Sequence, residues 1–551
     1  MKKIGIILQS SFCNKYLYKA LEILSASDKV KIFFLINQED AIHKGSLSRV
    51  QETTVNEHNK TRFFDTLVFK LIINIEYAIL SFFDKSIKGL REKQSIQSLI
   101  KNEVTYLVPI HSASGQVVRY SDEEIDTIKK LELDVLIIGN GSENFEGEIF
   151  NYAKEGIVSI QHTDIRWNRG GLPVFWEVYF RYPSAGFVIL RQTKKNDYNQ
   201  ILFRGDIAIT STYTKSLIKL YSRSYFYMAE LILNFAKNGH LPLPEESLPF
   251  GGKLLRIPSI YHTFNYFLKT SSLLIYNAIE RNVLKKETRW SVAFCSKSWR
   301  NSTLNEGIRI KNPPDHFFAD PFVAKRNGRT VCFVEDFSFR QNNGCIAAIE
   351  ILNEKEYRIL GPIIEEPFHM SYPFVFEYKQ DLYMIPETSG AKSIRLYKCI
   401  EFPLKWEYQK EILSGGHFVD PMILNHNGLW FILTNTEDEK LIAYYSHDPI
   451  NGIWVEHEKD PLIFDLNTSR NGGLLRDEDG SYVRCRQKFG FNTYGAALTM
   501  AKIIDLSPNS YMEQEICQIS PDFFPKLIGC HHMHSNGETT VFDYLRVENL
   551  K

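Results

Sequence analysis

The pattern of apolar and polar positions changes character about halfway along the chain. In the first half, short β-branched runs alternate with helical periodicity. The runs KIGIIL (residues 3–8) and KIFFLI (residues 31–36) flank YLYKALEIL, which predicts a β-α-β opening with a right-handed crossover. Residues 104–108 and 134–138 resume the sheet. Between them SDEEIDTIKKL reads as an acidic helix, with Ser121 and Glu124 spaced for a capping box. Residues 158–161 are a short strand that carries His162 at its end, and NRGGLP (residues 168–173) is a glycine-rich turn. Residues 174–180 then predict a short helix with Phe175, Trp176 and Tyr179 on one side, and residues 187–190 another strand. The polar loop TKKNDYNQ leaves Asp197 free to reach back toward His162. Residues 206–239 carry helical periodicity and stop at Gly239, residues 241–258 read as a proline-rich linker, and residues 261–285 as a further helix.

The second half repeats. Five segments share one shape, starting at His316, Phe368, His417, Thr468 and His531. Each opens on a polar motif, passes through an apolar strand, turns at a tip containing glycine or charge, and returns on an aromatic strand. The spacing of about fifty residues suits a four-stranded propeller blade, so five blades are expected. The last copy is short of chain, and WSVAF (residues 290–294) is expected to complete it, closing the ring and removing exposed sheet edges.

The segment 40–100 interrupts the first half as a helical insertion. Within it residues 63–83 are strongly apolar but broken by Asp65, Lys70 and Glu76, so no transmembrane segment is expected. The stretch reads as a helix packed on its domain or in a subunit contact, with peripheral contact at a membrane surface as the other reading. The expected domains are therefore 1–240, an α/β domain; 241–288, a linker and bridging helix; and 289–551, an all-β five-bladed propeller.

The 551 residues include 65 Lys+Arg and 65 Asp+Glu, a formal net charge of zero, so no global field recruits nucleic acid. The eight cysteines are scattered without a CxxC pair, and the first residues lack the long apolar run of a signal peptide. Both point to a cytoplasmic protein with reduced thiols. Cys530, His531, His532 and His534 cluster in sequence, but neighbours on a strand face opposite ways and no second pair sits at zinc spacing, so no metal site is expected.

A histidine and an aspartate at successive strand ends form a proton-handling pair when the carboxylate orients the imidazole. Residues 156–202 also resemble the formyltransferases that use 10-formyltetrahydrofolate, including methionyl-tRNA, glycinamide ribonucleotide and sugar N-formyltransferases. The resemblance rests on Gly156, His162, Arg169-Gly170, Trp176, the AGFVIL strand and the loop from Asp197, and upstream on LDVLIIG followed by Asn140 and Gly141. It implies a Rossmann-like domain in which His162 and Asp197 are catalytic. Gly139, Asn140, Gly141, Arg169 and Gly170 would border the pocket of a 10-formyltetrahydrofolate co-substrate. Ile160 stands where that family carries an asparagine donor to the oxyanion, and losing one such donor costs about a hundred- to a thousandfold. Either Gln161 or Ser159 supplies it through a shifted register, or the half is a scaffold without formyl transfer.

The motifs FADPFV, FHMSYPFVFE, YMIPET, IRLYKCIEFPLKW and FVDPMI resemble the five-bladed module of glucosamine inositolphosphorylceramide transferases and, more distantly, furanosidase-type glycoside hydrolases. That resemblance implies carboxylates at Asp320 and Asp420 in a central pocket, with Glu387 or Glu335 as the candidate acid. The leading expectation is formyl transfer to an amino group of a nucleotide-linked amino sugar in surface-glycan synthesis. The alternatives are a glycosyltransferase-associated or glycosidase-like propeller on a degenerate scaffold, and a non-catalytic glycan-binding protein. In each case the partner is a sugar or nucleotide sugar, and a homo-oligomer is compatible with all three.

Overall fold

The computed structural model describes residues 1–38, 57–111, 117–139, 144–164, 168, 171–194, 199–245, 254–284, 286–437 and 439–549. The chain divides into two units, Met1–Leu274 and Ile275–Lys551.

The first unit is built on a seven-stranded sheet. Its strands are β1 (Lys2–Leu8), β2 (Val30–Asn37), β3 (Thr105–Leu107), β4 (Val135–Ile138), β5 (Ile157–Gln161), β6 (Ser184–Gln192) and β7 (Gln200–Ala208). The spatial order is β7-β6-β5-β4-β1-β2-β3. The five strands from β5 to β3 are parallel, whereas β6 and β7 add antiparallel. This makes the unit mixed α/β, with β6 and β7 forming an antiparallel edge beyond the β-α-β opening, and not the expected Rossmann-like formyltransferase domain. All four residues of β4 are buried, as expected of a central strand covered on both faces.

The helices begin where local chemistry says they should. Asn14 caps α1 (Lys15–Ala26), its Oδ1 accepting the Tyr16 and Leu17 N–H groups at 3.1 and 2.9 Å. The capping box expected from Ser121 and Glu124 opens α3 (Asp122–Lys130), following α2 (Glu57–Phe83) in the chain. After α4 (Phe175–Phe180), α5 (Tyr213–Asn238) ends at Gly239, whose φ of 89° is the left-handed geometry of a helix stop. Residues 206–208, expected in that helix, instead finish β7. Ile207 pairs with Ala185 and is buried, so cross-strand packing overrode the helical pattern. The last helix, α6, spans Ile260–Asn282.

The second unit is a five-bladed propeller. Blades 1 to 4 are consecutive four-stranded antiparallel meanders whose innermost strands are His316–Arg326, Ser371–Tyr378, Phe418–His426 and Asn471–Arg476. Blade 5 is shared between the ends of the unit. Met533–Ser535 lies innermost, Thr540–Asn549 pairs outside it, and Lys286–Cys295 pairs outside that over ten residues from Lys286–Asn549 to Cys295–Thr540. The early strand containing WSVAF thus closes the ring, as the short last repeat required. Each innermost strand contacts its two neighbours around the circle. The core is apolar and aromatic, with Phe322, Phe333, Met384, Met422 and Leu433 all wholly buried.

Candidate functional site

The same irregularity recurs where the innermost strands enter the ring. Register with the second strand slips across Asp320-Pro321 in blade 1, Tyr372-Pro373 in blade 2, Asp420-Pro421 in blade 3 and Gly472-Gly473 in blade 4. Asp320, Tyr372 and Asp420 have φ of 48°, 49° and 47°, a left-handed geometry that costs a non-glycine residue about 1–3 kcal/mol. Blade 4 reaches the same bend with Gly473 at φ 115°, where an added Cβ would meet the Met533 carbonyl oxygen at 2.0 Å. Repeated strain of this kind re-aims side chains out of the ladder, here toward the axis. Convergence is direct: the Gly473 N–H of blade 4 donates to Tyr372 Oη of blade 2 at 2.8 Å.

Side chains from neighbouring blades hold the bent backbone. Asp543 accepts the Asp320 N–H at 3.3 Å and the His531 and His532 N–H groups at 3.0 and 2.9 Å. Glu387 accepts the Asp420 N–H at 3.1 Å, and Asn435 accepts that of Asn471 at 2.9 Å. Glu335 and Glu387 hold equivalent positions in blades 1 and 2, each opposite the residue just before the bend.

Two charged clusters result. In one, His531 lies between two aspartates, Nδ1 2.8 Å from Asp543 Oδ2 and Nε2 3.4 Å from Asp320 Oδ1, with the Trp290 ring stacked on it at 3.8 Å. All three are buried, with Asp543 wholly so. In the other, Arg470 Nε donates to Asp420 Oδ2 at 2.8 Å and Gln487 Nε2 to the same oxygen at 3.3 Å, while the guanidinium lies over Tyr494.

Burial sets the protonation of this pocket. It pushes the Asp320 carboxyl up to about 7, with His531 opposing and Asp420 and Asp543 adding to the rise. Burial and then Asp420 push Glu387 up to about 8 against the Arg470 charge. Glu335 is pushed well above the usual carboxylate range by burial and by Asp320 and Glu387. Burial disfavours the charged His531, but Asp543 and Asp320 outweigh it and hold the imidazole above its usual value. His532 and His534 have no such partner facing them and burial keeps both neutral. The axis therefore combines protonatable carboxyls with the Arg470 cation and an imidazole whose protonation is favoured by its aspartates, a composition suited to proton transfer at a polar substrate.

Among the described residues, Asp320, His531 and Asp543 each bring a donor atom within 4.8 Å of one another, an oxygen and imidazole set able to hold a cation. The sequence singled out Asp320, Asp420, Glu387 and Glu335, and the structure brings all four to the axis. It did not single out Asp543, Arg470, Gln487 or Tyr494. His531 was weighed only as part of a run of histidines, whereas its partners are aspartates more than ten residues away.

The site expected in the first unit is different in kind. His162 is packed against Tyr221 and Tyr225 at 4.7 and 5.4 Å between ring centres, its Nε2 is buried without a hydrogen bond, and burial holds its pKa down to about 4. Ser159 is buried on β5 and accepts from Gln192 Nε2 at 3.5 Å, and Gln161 Nε2 donates to Thr163 Oγ1 at 3.1 Å. Gly139 follows β4 directly, and its N–H donates to the Ile7 carbonyl at 2.9 Å. Asp197, Asn140, Gly141, Arg169 and Gly170 lie outside the described residues. Next to the last two in sequence, Asn168 donates to Glu177 Oε1 at 3.1 Å and accepts the Gly171 N–H at 3.1 Å.

Residues 284–522 match a protein family described as glucosamine inositolphosphorylceramide transferase 1, N-terminal. The chain is 32% identical over 250 residues to glucosamine inositolphosphorylceramide transferase 1 of Arabidopsis thaliana, covering 43% of this chain and 31% of the relative. It is 31% identical over 210 residues to the protein of the same name from Oryza sativa subsp. japonica, covering 36% and 28%. The chain thus spans less than a third of the length of these relatives. Among solved structures, an α-L-arabinofuranosidase from Podospora anserina in complex with cellotriose aligns at 10% identity and TM-score 0.32, covering 40% of this chain and 78% of that one. The catalytic domain of a Coprinopsis cinerea α-L-arabinofuranosidase aligns at 13% identity and TM-score 0.33, covering 45% and 84%.

These findings correct the leading expectation. The relatives are named as transferases of the glucosamine inositolphosphorylceramide type, so formyl transfer to an amino sugar and its co-substrate 10-formyltetrahydrofolate are set aside. His162 is partly exposed, packs edge-on against Tyr221 and Tyr225, and is held neutral.

Proposed function

We propose that the propeller axis is a carbohydrate-active centre that transfers a glycosyl group to water or to an acceptor hydroxyl. The observation that carries this reading is the pair of strained aspartates, Asp320 and Asp420, at the same bend of blades 1 and 3, with Glu387 bonded to the backbone of the second. Sugar as the substrate class accords with the glucosamine in the names of the relatives matched by this half. Their matched portion is the N-terminal part of the transferase family, so the chemistry is argued from the pocket itself.

Glu387, with its pKa near 8, holds a proton at neutral pH and is the donor to the departing glycosidic oxygen. Asp320, with its pKa near 7, accepts the proton of the incoming hydroxyl and is steadied by His531 and Asp543. Asp420, fixed by its 2.8 Å contact with Arg470, lies beside the ring where positive charge develops. Tyr494, lying under the Arg470 guanidinium, offers an aromatic face to a sugar ring.

The test is turnover by the full chain of an aryl-glycoside panel spanning pentofuranosides, hexosides and N-acetylhexosaminides, with and without acceptor sugars. Release of the aryl alcohol that falls at least about a hundredfold in both Asp320→Asn and Glu387→Gln, at unchanged melting temperature, supports the reading. Turnover unaffected by either substitution overturns it. Sugar binding at the axis without turnover of any substrate overturns the catalytic part and leaves recognition.

A further inference from the structure

We propose that α2 lies on the surface of an anionic lipid bilayer and holds the first unit there. This inference rests on the first unit alone and is independent of the reading of the propeller.

The helix has two faces of opposite character. One is tied into the unit. Phe69 is buried against Phe175 and Tyr213 at 5.3 and 5.7 Å, and Asp65 Oδ1 accepts the Ile260 N–H at 2.8 Å. Glu76 accepts the Thr214 N–H at 2.7 Å and the Tyr266 hydroxyl, and burial raises its carboxyl above the usual range. Both acids that interrupt the apolar run in the sequence are therefore turned inward and satisfied. By length and composition Phe63–Phe83 could cross a bilayer, and these ties instead hold its inward face to the unit.

From Phe63 to Phe83 the other face is apolar. Phe63, Leu67, Leu71, Ile75, Ile79 and Phe83 recur every four residues and are all exposed, with Phe82 82% exposed. A soluble monomer seldom displays a contiguous apolar stripe of this extent. The exposed polar side chains along it are Lys70 and Asn74, and no acid is exposed between Phe63 and Phe83. Directly after the helix come exposed Lys85, Lys88 and Arg91, while the nearby acids are engaged: Asp84 with Ser86, and Glu92 with Lys15.

Charge selects the occupant. An aromatic-ended apolar stripe with a basic margin matches the boundary between acyl chains and anionic headgroups, with Lys70 long enough to reach outward to phosphate. A second copy of this chain would bring the same basic margins together, and no exposed acid on the face would offset them.

The test is co-sedimentation of the full chain with phosphatidylcholine vesicles, with and without phosphatidylglycerol. Binding that requires phosphatidylglycerol is expected. Leu71→Glu with Ile75→Glu should weaken it at least about tenfold, and Lys85→Glu with Lys88→Glu should remove the dependence on anionic lipid. Circular dichroism of each variant confirms that the fold is retained, since all four side chains are exposed or outside the core. The proposal is overturned if the full chain stays in the supernatant with both vesicles. It is equally overturned if ultracentrifugation shows a stable oligomer that Leu71→Glu with Ile75→Glu disperses, because the face would then be covered by another copy.

Discussion

Glu387 Oε2 accepts the backbone N–H of Asp420 at 3.1 Å, so the carboxyl that closes one blade's second strand clamps the strained entry of the next. This single contact ties the proton chemistry of the pocket to its geometry. A hydrogen bond to the ionised form lowers a carboxyl pKa, yet burial and the neighbouring Asp420 charge dominate and Glu387 still rises to about 8.

The first prediction is a narrow pH profile. With Asp320 required ionised and Glu387 required protonated, the rate climbs as pH rises through about 7 and falls as it passes about 8. Glu387→Gln should abolish the falling limb in whatever activity remains. A plot of kcat/KM against pH for the two proteins is the check.

Stability should move with the same groups. Both carboxyls are raised above their ordinary values of 3.8 for Asp and 4.5 for Glu, so the folded chain binds more protons between those values and 7 to 8. Their contribution is fully present below pH 4 and is lost as pH rises through the folded values. Above about pH 6.5, where the depressed His532 and His534 no longer add an opposing rise, the propeller's melting temperature should therefore fall as pH goes to about 8.5 at constant ionic strength. The double variant Asp320→Asn with Glu387→Gln should show a flatter curve in scanning calorimetry.

Removing Arg470 should cost more than the loss of one hydrogen bond. Its partner Asp420 has a side chain only 4% exposed, and a charge left buried and unpaired typically costs about 3–5 kcal/mol. Arg470→Met should lower the denaturation midpoint accordingly. Adding Asp420→Asn should recover much of the loss, because the stranded charge is gone while the Gln487 contact to that side chain can be kept.

Much of this architecture was legible before any coordinates. Five repeats gave five blades, and the short fifth repeat required the early strand to complete it. Asp320 and Asp420 were legible because a repeated Asp-Pro at a blade entry places both at the axis. Asp543 and Arg470 were not, since their roles come from contacts across blades that no local pattern encodes. The resemblance around His162 misled for the complementary reason. A histidine at a strand end looks alike whether it faces a pocket or a wall of tyrosines, and Tyr221 and Tyr225 arrive from α5, more than fifty residues later.

Thiol reactivity should single out one cysteine. All eight are free, and Cys517 alone is exposed, with Cys345 partly so and the others buried. Burial also pushes the Cys332 and Cys485 thiols far above their usual range, which removes the reactive thiolate. Native protein treated with a chromogenic disulfide should label Cys517 first, and Cys517→Ser should remove the fast phase. Full labelling should require denaturant.

The last prediction concerns a residue that never meets the pocket. Arg484 is wholly buried in blade 4, forked onto Glu513 through Nε at 2.9 Å and Nη2 at 2.8 Å. Its remaining donors reach the Thr468 and Ser469 carbonyls and Asn471 Oδ1, so one guanidinium fixes the three residues that flank Arg470. Arg484→Met would leave Glu513 facing only Arg486 and Tyr511 and would free the 468–471 segment. Glu513 keeps its ion pair with Arg486, so the loss is that of the buried hydrogen bonds Arg484 made, about 1–3 kcal/mol for each group left unsatisfied. The more telling outcome is functional: Arg484→Met with Glu513→Gln, which keeps an acceptor for Arg486 and Tyr511, should regain part of the stability but not activity, because the Arg470 segment stays unanchored. A double variant that regains stability and full turnover together would show that Arg484 serves the fold of blade 4 and not the placement of Arg470.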